Sequence, residues 1–352
     1  MSTLSDVARL AGVSTMTVSR VINNSSYIRP ETRARVNDAI AELGYMPNIL
    51  ARQLRSKRTK TIALVMTDIA NPFFTTIARG VEDTARVQGY AVMFCNTYES
   101  EAEEDAYVSL LIQRRIDGVL LVPAAGTGGS LRLLQKHGMP VVILDRNLRT
   151  AEVDQVRADS EAGAYAAVRH LLDLGHRRIA VLTGPEVVST STDRVAGYRR
   201  ALSDACLESD CEQVVYGEFN VASGFAMTQR ILEAGPRPTA IFAANNFIAF
   251  GAIRALREAE IAIPGDMSIV VFDDLPQGWV LDPFLTVVSQ PAYEIGRQAA
   301  ELMLARLAGN APAGPRTIIL PSELIVRRST APPHRETAVL TSQPEGPTET
   351  ST

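Results

Sequence analysis

The sequence predicts an α/β protein, with a small helical head followed by a two-lobed body of parallel sheets. Three observations predict it. Capped helix starts with helical apolar spacing crowd into the first 45 residues. From Thr61 onward, short β-rich apolar runs alternate with helical stretches, the pattern of parallel sheets covered by helices. Charge is split along the chain: residues 1–60 hold ten Lys/Arg and four Asp/Glu, a net of +6, whereas the remainder holds 25 against 35, a net of −10. A basic head on an acidic body points to a polyanion partner for the head alone. A chain of 352 residues suits two or three domains.

In the head, Thr3-x-x-Asp6 reads as a capping box opening a helix that runs to Ala11, and Gly12 supplies the left-handed residue that ends it. Ser14 caps a second helix over about Thr15 to Ile22, with Val7, Leu10, Val18 and Val21 the expected core contacts. Two short helices joined by a glycine-containing turn describe a helix-turn-helix. Pro30 opens a third helix at its first position, Val36, Ile40 and Leu43 share one face of it, and Gly44 closes it. The exposed start of the second helix carries Ser14, Thr15, Met16 and Thr17, with Arg20 one turn on. Such a helix enters the major groove with its N-terminal residues against base edges. Arg20 suits the bidentate pair with guanine. Ser14, Thr17 and Asn23 suit phosphates.

LSDVARLAGVSTMTVSRVIN, followed by ETRARVNDAIAELGYMPN, resembles the head of the lactose-repressor (LacI/GalR) family of bacterial transcription regulators, and the resemblance runs on to about Arg328. Two residues depart from the family's pattern. Met16 stands where members often carry a polar base reader, and a Met side chain touches only a thymine methyl or fills space. Arg29 precedes Pro30 where a Ser-type cap is commoner, so that helix start is expected to be weaker.

The stretch Asn48 to Lys60, NILARQLRSKRTK, sets Arg52, Arg55, Lys57, Arg58 and Lys60 around Leu54. Pro47 breaks the chain, Asn48 caps, and Leu50 to Arg55 forms two turns, too few for stability alone in water. Such a segment folds on binding DNA. In a symmetric dimer two of these hinge helices meet over the operator centre, with Leu54 wedged between base steps in the minor groove and Arg52, Arg55 and Lys57 on phosphates. The family resemblance implies the same arrangement.

In the body the apolar runs are TIALVM, YAVMFCN, GVLLV and PVVILD, then RIAVLT, AIFAA, SIVVFD and LTVVSQ, with helices such as Phe74 to Gln88, Glu101 to Arg114, Glu161 to Leu174 and Ala222 to Glu233 between them. Two groups of runs suggest two lobes. The resemblance adds what spacing does not show: a periplasmic-binding-protein-like fold whose chain crosses between lobes three times. It implies a helix-turn-helix domain at 1–47, a hinge helix and linker at 48–60, an effector-binding and dimerisation body at 61–328, and a disordered tail at 329–352. Lobe one would take about 61–160 and 292–325, and lobe two about 161–290.

Ligands of open α/β sheets bind beyond the carboxyl ends of strands. Asp68, Asn71, Phe73 and Phe74 follow TIALVM, Asp145 and Arg146 follow PVVIL, Thr190 and Arg194 follow RIAVLTGP, and Phe219 follows the run at Val214. Asn245 and Asn246 follow AIFAA, Asp273 ends SIVVF and Gln290 ends LTVVS. Carboxylates and amides pair with hydroxyls, Arg194 adds a fixed fork of donors, and aromatic faces stack on a sugar ring. Strand ends also carry helix caps, a role that Asp273 and Asn246 suit best. Asp145, Arg194, Phe219, Asn245, Asp273 and Gln290 match the family's sugar-contacting positions. Its purine-binding branch holds Arg where Val188 stands here, which counts against a purine, and Arg146 beside the cleft leaves room for an acidic sugar.

Other chemistries lack their signatures. Cys95, Cys206 and Cys211 are an odd, sparse set without metal-ligand spacing, read as buried thiols in a reduced compartment. The Gly-rich AAGTGGS lacks the Lys-Ser/Thr of a phosphate loop, and no G-x-S-x-G elbow is present. The acidic run ESEAEEDA begins a helix, where negative charge suits the dipole. His137, His170, His176 and His334 show no paired spacing, and His176 reads as a cap or packing residue at a helix-to-strand turn. No apolar run is long enough to span a bilayer, and the N-terminus has no secretory signal. No cofactor, metal, membrane or enzymatic role is expected. The sequence therefore predicts a cytoplasmic transcription regulator, a repressor acting as a homodimer on a pseudo-palindromic operator in double-stranded DNA. Its effector is expected to be a sugar or sugar derivative, for which family precedent favours release from DNA. The alternatives are a purine-responsive member of the same family and a sugar-binding receptor without DNA function.

Overall fold

The computed structural model describes residues 2–23, 27–46, 58–124, 128–148, 152–207, 212–275 and 282–334. The chain divides into two units, Met1–Thr59 and Lys60–Thr352. The expectations for the hinge helix, Leu54 and Arg55 among them, lie outside the described residues, as do Cys211 and the chain beyond His334.

The head consists of α1 (Leu4–Leu10), α2 (Thr15–Ile22) and α3 (Pro30–Leu43). Thr3 and Asp6 close the capping box reciprocally, and the Ser14 hydroxyl accepts from the Thr17 N–H. Gly44, at φ 54°, ends α3 in the left-handed region that glycine adopts without cost. Arg29 makes no side-chain cap bond, so α3 starts on the fixed φ of Pro30 alone. Val7, Ala8, Ala11, Val18, Val21, Val36 and Ala39 form the core. Leu10, expected in that core, is 46% exposed. The small residues Ala8 and Ala11 face inward instead.

The body holds two six-stranded sheets. Lobe one runs β1 (Thr61–Met66), α4 (Pro72–Val87), β2 (Ala91–Asn96), α5 (Glu101–Gln113), β3 (Gly118–Leu121), α6 (Gly129–Lys136), β4 (Val141–Leu144) and β5 (Asp154–Ala158). Lobe two follows with α7 (Ser160–Asp173), β6 (Ile179–Thr183), α8 (Ser189–Asp204), β7 (Glu212–Tyr216), α9 (Val221–Glu233), β8 (Ala240–Ala243), α10 (Asn246–Glu258), β9 (Ser268–Phe272) and β10 (Thr286–Ser289). The chain then returns to lobe one for α11 (Ala292–Ala308) and β11 (Thr317–Leu320), and crosses once more to lobe two for β12 (Glu323–Ile325). The strand orders are β11-β5-β4-β3-β1-β2 and β12-β10-β9-β8-β6-β7, parallel throughout except for β12 against β10.

Two expected boundaries need correction. Lobe one does not extend to 325, because β12 pairs with β10 and so completes the sheet of lobe two. The tail does not begin at 329. Ser329 is fully buried in lobe two, where its carbonyl accepts from the Ile269 N–H, and its hydroxyl donates to the Ile269 carbonyl and accepts from the Thr286 N–H. His176, buried at the start of β6, binds Thr239, Ser268 and the Ala331 carbonyl, so the extended chain is fixed through Ala331.

Each lobe contains a helix pair in backbone contact. A Cβ on Gly296 of α11 would lie 2.1 Å from the Ile77 carbonyl oxygen of α4, and one on Gly251 of α10 would lie 2.1 Å from that of Val221 in α9. Close approach of this kind needs glycine.

Candidate functional site

The exposed face of the head is built by α2. Ser14, Thr15, Met16 and Arg20 are exposed and Thr17 half-buried, while Val18 and Val21 anchor the opposite side in the core. The Ser14 and Thr17 hydroxyls lie 2.9 Å apart, so both serve the cap before they serve any partner. The Asn23 amide donates to the Ser19 carbonyl and closes the helix. Met16 is 63% exposed, a large apolar side chain held in solvent among polar neighbours.

The second site lies between the lobes, where the carboxyl ends of both sheets face each other. Phe74, Asp145, Arg146, Thr190, Arg194, Phe219, Asn245 and Asp273 line one cavity, together with Asp68, Asn71, Phe73 and Glu99. Gln290 stands behind them, its amide donating to Asp273 Oδ1 at 2.5 Å. The open space is about 40 Å³, far below the roughly 300–1,000 Å³ of pockets that hold small molecules. The lobes are therefore closed upon each other. Asn246 donates across to Asn71 at 3.1 Å, and the Asn147 N–H donates to the Ser189 hydroxyl at 2.7 Å. Arg157 lies 3.9 Å from Asp193.

The local sequence explains each placement. Asn71 and Asn245 cap α4 and α10, accepting from the Phe73 and Ile248 N–H groups. The expected cap roles of Asn246 and Asp273 are thus corrected. Asn245 takes the cap, which frees the Asn246 side chain to reach Asn71, and Asp273 follows β9 at φ 75° without capping a described helix. Phe74 packs edge-to-face on Phe73, with centroids 5.2 Å apart. Phe219 lies against Gly184, where a Cβ would fall 2.3 Å from its ring. Val188 is buried at the start of α8 and presents no polar atom.

Charge in the cleft is confined and desolvated. Burial pushes the Asp145 carboxyl up to about 6, against the pull of Arg194 and Arg146. Burial likewise raises Asp273, with Arg194 and the Gln290 amide opposing. The Arg194 guanidinium stacks 3.9 Å from the Phe272 ring centre and donates to the Ala244 carbonyl, and burial lowers its pKa. Arg146 donates to the Pro123 and Ala124 carbonyls and to Glu99. Among the described residues, three side-chain atoms of the cavity lining make no hydrogen bond, Asp145 Oδ1, Arg146 Nε and Arg194 Nε, and outside the lining Asn246 Oδ1 and Gln290 Oε1 are likewise unmatched. Buried polar atoms are costly to leave unmatched, so their convergence marks a surface built for a polar guest.

Sequence reasoning did not single out Glu99, Ser189 or the Asn71–Asn246 bridge. Glu99 was absorbed into an acidic helix start, and only its contact with Arg146, 47 residues away, distinguishes it.

A helix-turn-helix head joined to a two-lobed body with a polar interlobe cleft defines a ligand-responsive DNA-binding regulator. Residues 3–48 match the family model of bacterial regulatory proteins of the lacI family, and residues 59–328 match that of periplasmic binding proteins and the sugar-binding domain of the LacI family. The chain belongs to the LacI family. It is 36% identical over 308 residues to the HTH-type transcriptional repressor PurR of Vibrio atlanticus (strain LGP32), covering 87% of this chain and 92% of that one. It resembles the solved transcriptional regulator CelR–cellobiose complex at 35% identity and a TM-score of 0.72, covering 94% of this chain and all of that one. The lac repressor dimer bound to operator and the anti-inducer ONPF superposes with a TM-score of 0.83 at 30% identity, covering 94% and 99%. Among the described residues no helix is long and apolar enough to cross a membrane.

Proposed function

We propose that the protein is a homodimeric transcriptional repressor whose α2 helices read a pseudo-palindromic operator and whose interlobe cleft takes a sugar or related polyol as effector. The observation that carries the effector reading is the set of unmatched buried atoms. In the lining Asp145 offers an acceptor and Arg146 and Arg194 offer donors, with further acceptors on Asn246 and Gln290 outside it. A compound with several hydroxyls answers both kinds, since each hydroxyl donates and accepts. Phe74 and Phe219, from opposite lobes, supply apolar faces for a ring. The closed lobes must part to admit it, and a ligand that binds one lobe arrangement better than the other shifts the population between them. The solved CelR relative holds cellobiose, which favours a sugar. Arg20 would pair with guanine, Thr15 and Met16 would meet base edges, and Ser14, Thr17 and Asn23 would lie along the backbone. Leu54 and Arg55 would act at the operator centre.

Fluorescence anisotropy on an operator selected from random DNA tests this reading. Pentoses, hexoses, cellobiose and purine bases are then added in turn. Binding should weaken steeply with salt, and one sugar should alter it. A response to a purine base alone would replace the sugar reading, and no specific operator would remove the repressor reading. Arg20→Ala should cost roughly 1–3 kcal/mol and relax one base position. Equal losses on every sequence would leave Arg20 as a phosphate contact.

A further inference from the structure

We propose that Glu99 is a specificity residue of the cleft. Its carboxylate fills the anion position on Arg146 from within the protein, so that the cleft admits neutral polyols and turns away sugar acids and sugar phosphates. This deepens the effector reading given above and rests on it.

Arg146 is 5% exposed, and its guanidinium lies 5.7 Å from the ring centre of Phe219. Nη1 donates to the Pro123 and Ala124 carbonyls at 2.7 and 2.9 Å, and Nη2 donates to Glu99 Oε1 at 2.6 Å. A buried guanidinium with a free edge is the group that draws a carboxylate or phosphate into a pocket. Here Nη2 already donates to a side chain of the protein, and Nε alone of that edge remains unmatched. The sequence expectation that Arg146 leaves room for an acidic sugar is thereby reversed.

The charge balance agrees. Among the described residues, Asp68, Glu99, Asp145 and Asp273 line the cavity against Arg146 and Arg194. Among the described lining residues no positive surplus offsets an anionic guest, and the carboxylates oppose one.

The backbone supplies an independent observation. Tyr98 and Glu99, between β2 and α5, are successive non-glycine residues in the left-handed region, at φ 53° and 59°. Side chains rarely adopt that region, and strain of this kind is retained where the surroundings fix it. The turn is fixed on both sides, by the Ser100 N–H on the Thr97 carbonyl and by the Ser100 hydroxyl, which accepts from Glu103. Its outcome is a carboxylate delivered to Arg146. Arg146 itself keeps its place without Glu99, because Glu104 holds the Ala124 N–H at 2.6 Å and so fixes the carbonyls that Arg146 binds.

Two measurements on the full chain test the proposal. Isothermal titration with glucose against glucuronate, and galactose against galacturonate, reads the discrimination directly. The natural protein should bind a neutral member and reject its acid. Glu99→Gln, which removes the charge but keeps an amide on Arg146, should lower that discrimination about tenfold or more. Unchanged discrimination, or a natural protein that takes the acid equally well, overturns the proposal. Thermal unfolding of Glu99→Ala with formate or acetate needs no knowledge of the effector. Either anion should raise the midpoint beyond an equal concentration of chloride, and the gain should vanish in Glu99→Ala with Arg146→Met. A carboxylate-specific gain without any sugar binding would sustain the anion position while defeating the polyol reading. Absence of that gain would overturn the role of Glu99.

Discussion

Asp145 in lobe one and Asp273 in lobe two occupy equivalent places. Each follows the fourth strand of its lobe in chain order, each is left-handed, at φ 61° and 75°, and each donates its N–H to the next strand, to the Val156 and Val288 carbonyls. Their side chains then part company. Asp273 is answered by the Gln290 amide and attracted by Arg194, within its own lobe. Asp145 keeps Oδ1 unmatched and is attracted by Arg194 from the other lobe and by Arg146, whose charge Glu99 already answers. The repeated backbone fixes where polar groups stand, and the surrounding side chains decide which are spent and which remain for a guest. Lobe two is a prearranged cluster, whereas lobe one contributes a carboxylate in waiting.

The difference can be broken or sharpened by substitution. Arg194→Ala should have the largest effect, about 2–5 kcal/mol of effector binding, because it leaves Asp273 buried without its cation. Titration calorimetry measures this, with operator affinity retained as the control. A loss equal to that of Asp145→Asn would erase the contrast between lobes. Gly296→Ala and Gly251→Ala probe what the lobes share. Each drives a methyl into a carbonyl at 2.1 Å, so each should cost about 1–3 kcal/mol in urea unfolding, by similar amounts. A much smaller cost in one lobe would mean that its helix pair yields.

The smallest effect concerns pH. The folded pKa of Asp145, about 6, lies above its unfolded value, so the native state binds the extra proton. Its contribution favours folding below about pH 4 and is lost as pH rises through 6. Asp145→Asn should therefore stabilise the ligand-free protein at pH 7 by roughly 1–2 kcal/mol and flatten its stability between pH 4 and 6. Asp273→Asn should gain less, because it weakens the acceptor for Gln290. Denaturant midpoints across that range decide the matter, and an unchanged slope in Asp145→Asn would refute the assignment.

Much of this was legible in the sequence where local physics dominates. The Thr3–Asp6 box, the Ser14 cap, Pro30 and Gly44 declare the head, since each acts within one helical turn. The buried strands declare themselves as apolar runs, and strand ends gave the cleft residues from Phe74 to Gln290. Three features were not legible. β5, DQVRA, reads as polar because Asp154 is paired with Arg306, 152 residues away, and Arg157 turns toward Asp193. β12 reads as part of the lobe that precedes it, since its partner is settled only by the last crossing. Glu99 looks like any acid at a helix start until its distant guanidinium is known. Local caps are written in neighbouring residues, but charge pairing across a sheet is not.

The three crossings have a consequence for synthesis. Neither lobe is a continuous segment: the first needs α11 and β11 to finish its sheet, and the second needs β12 and the chain to Ala331. As the polypeptide emerges, lobe two will have exposed most of its residues before the strand that seals its edge, and the Ser329 that satisfies Ile269 and Thr286, have been made. Contacts of such long sequence separation are slow to form, and unsealed edges invite association. The body is therefore most exposed to misassembly just before β12 and the chain to Ala331 appear, which makes that short stretch the closing step of its folding.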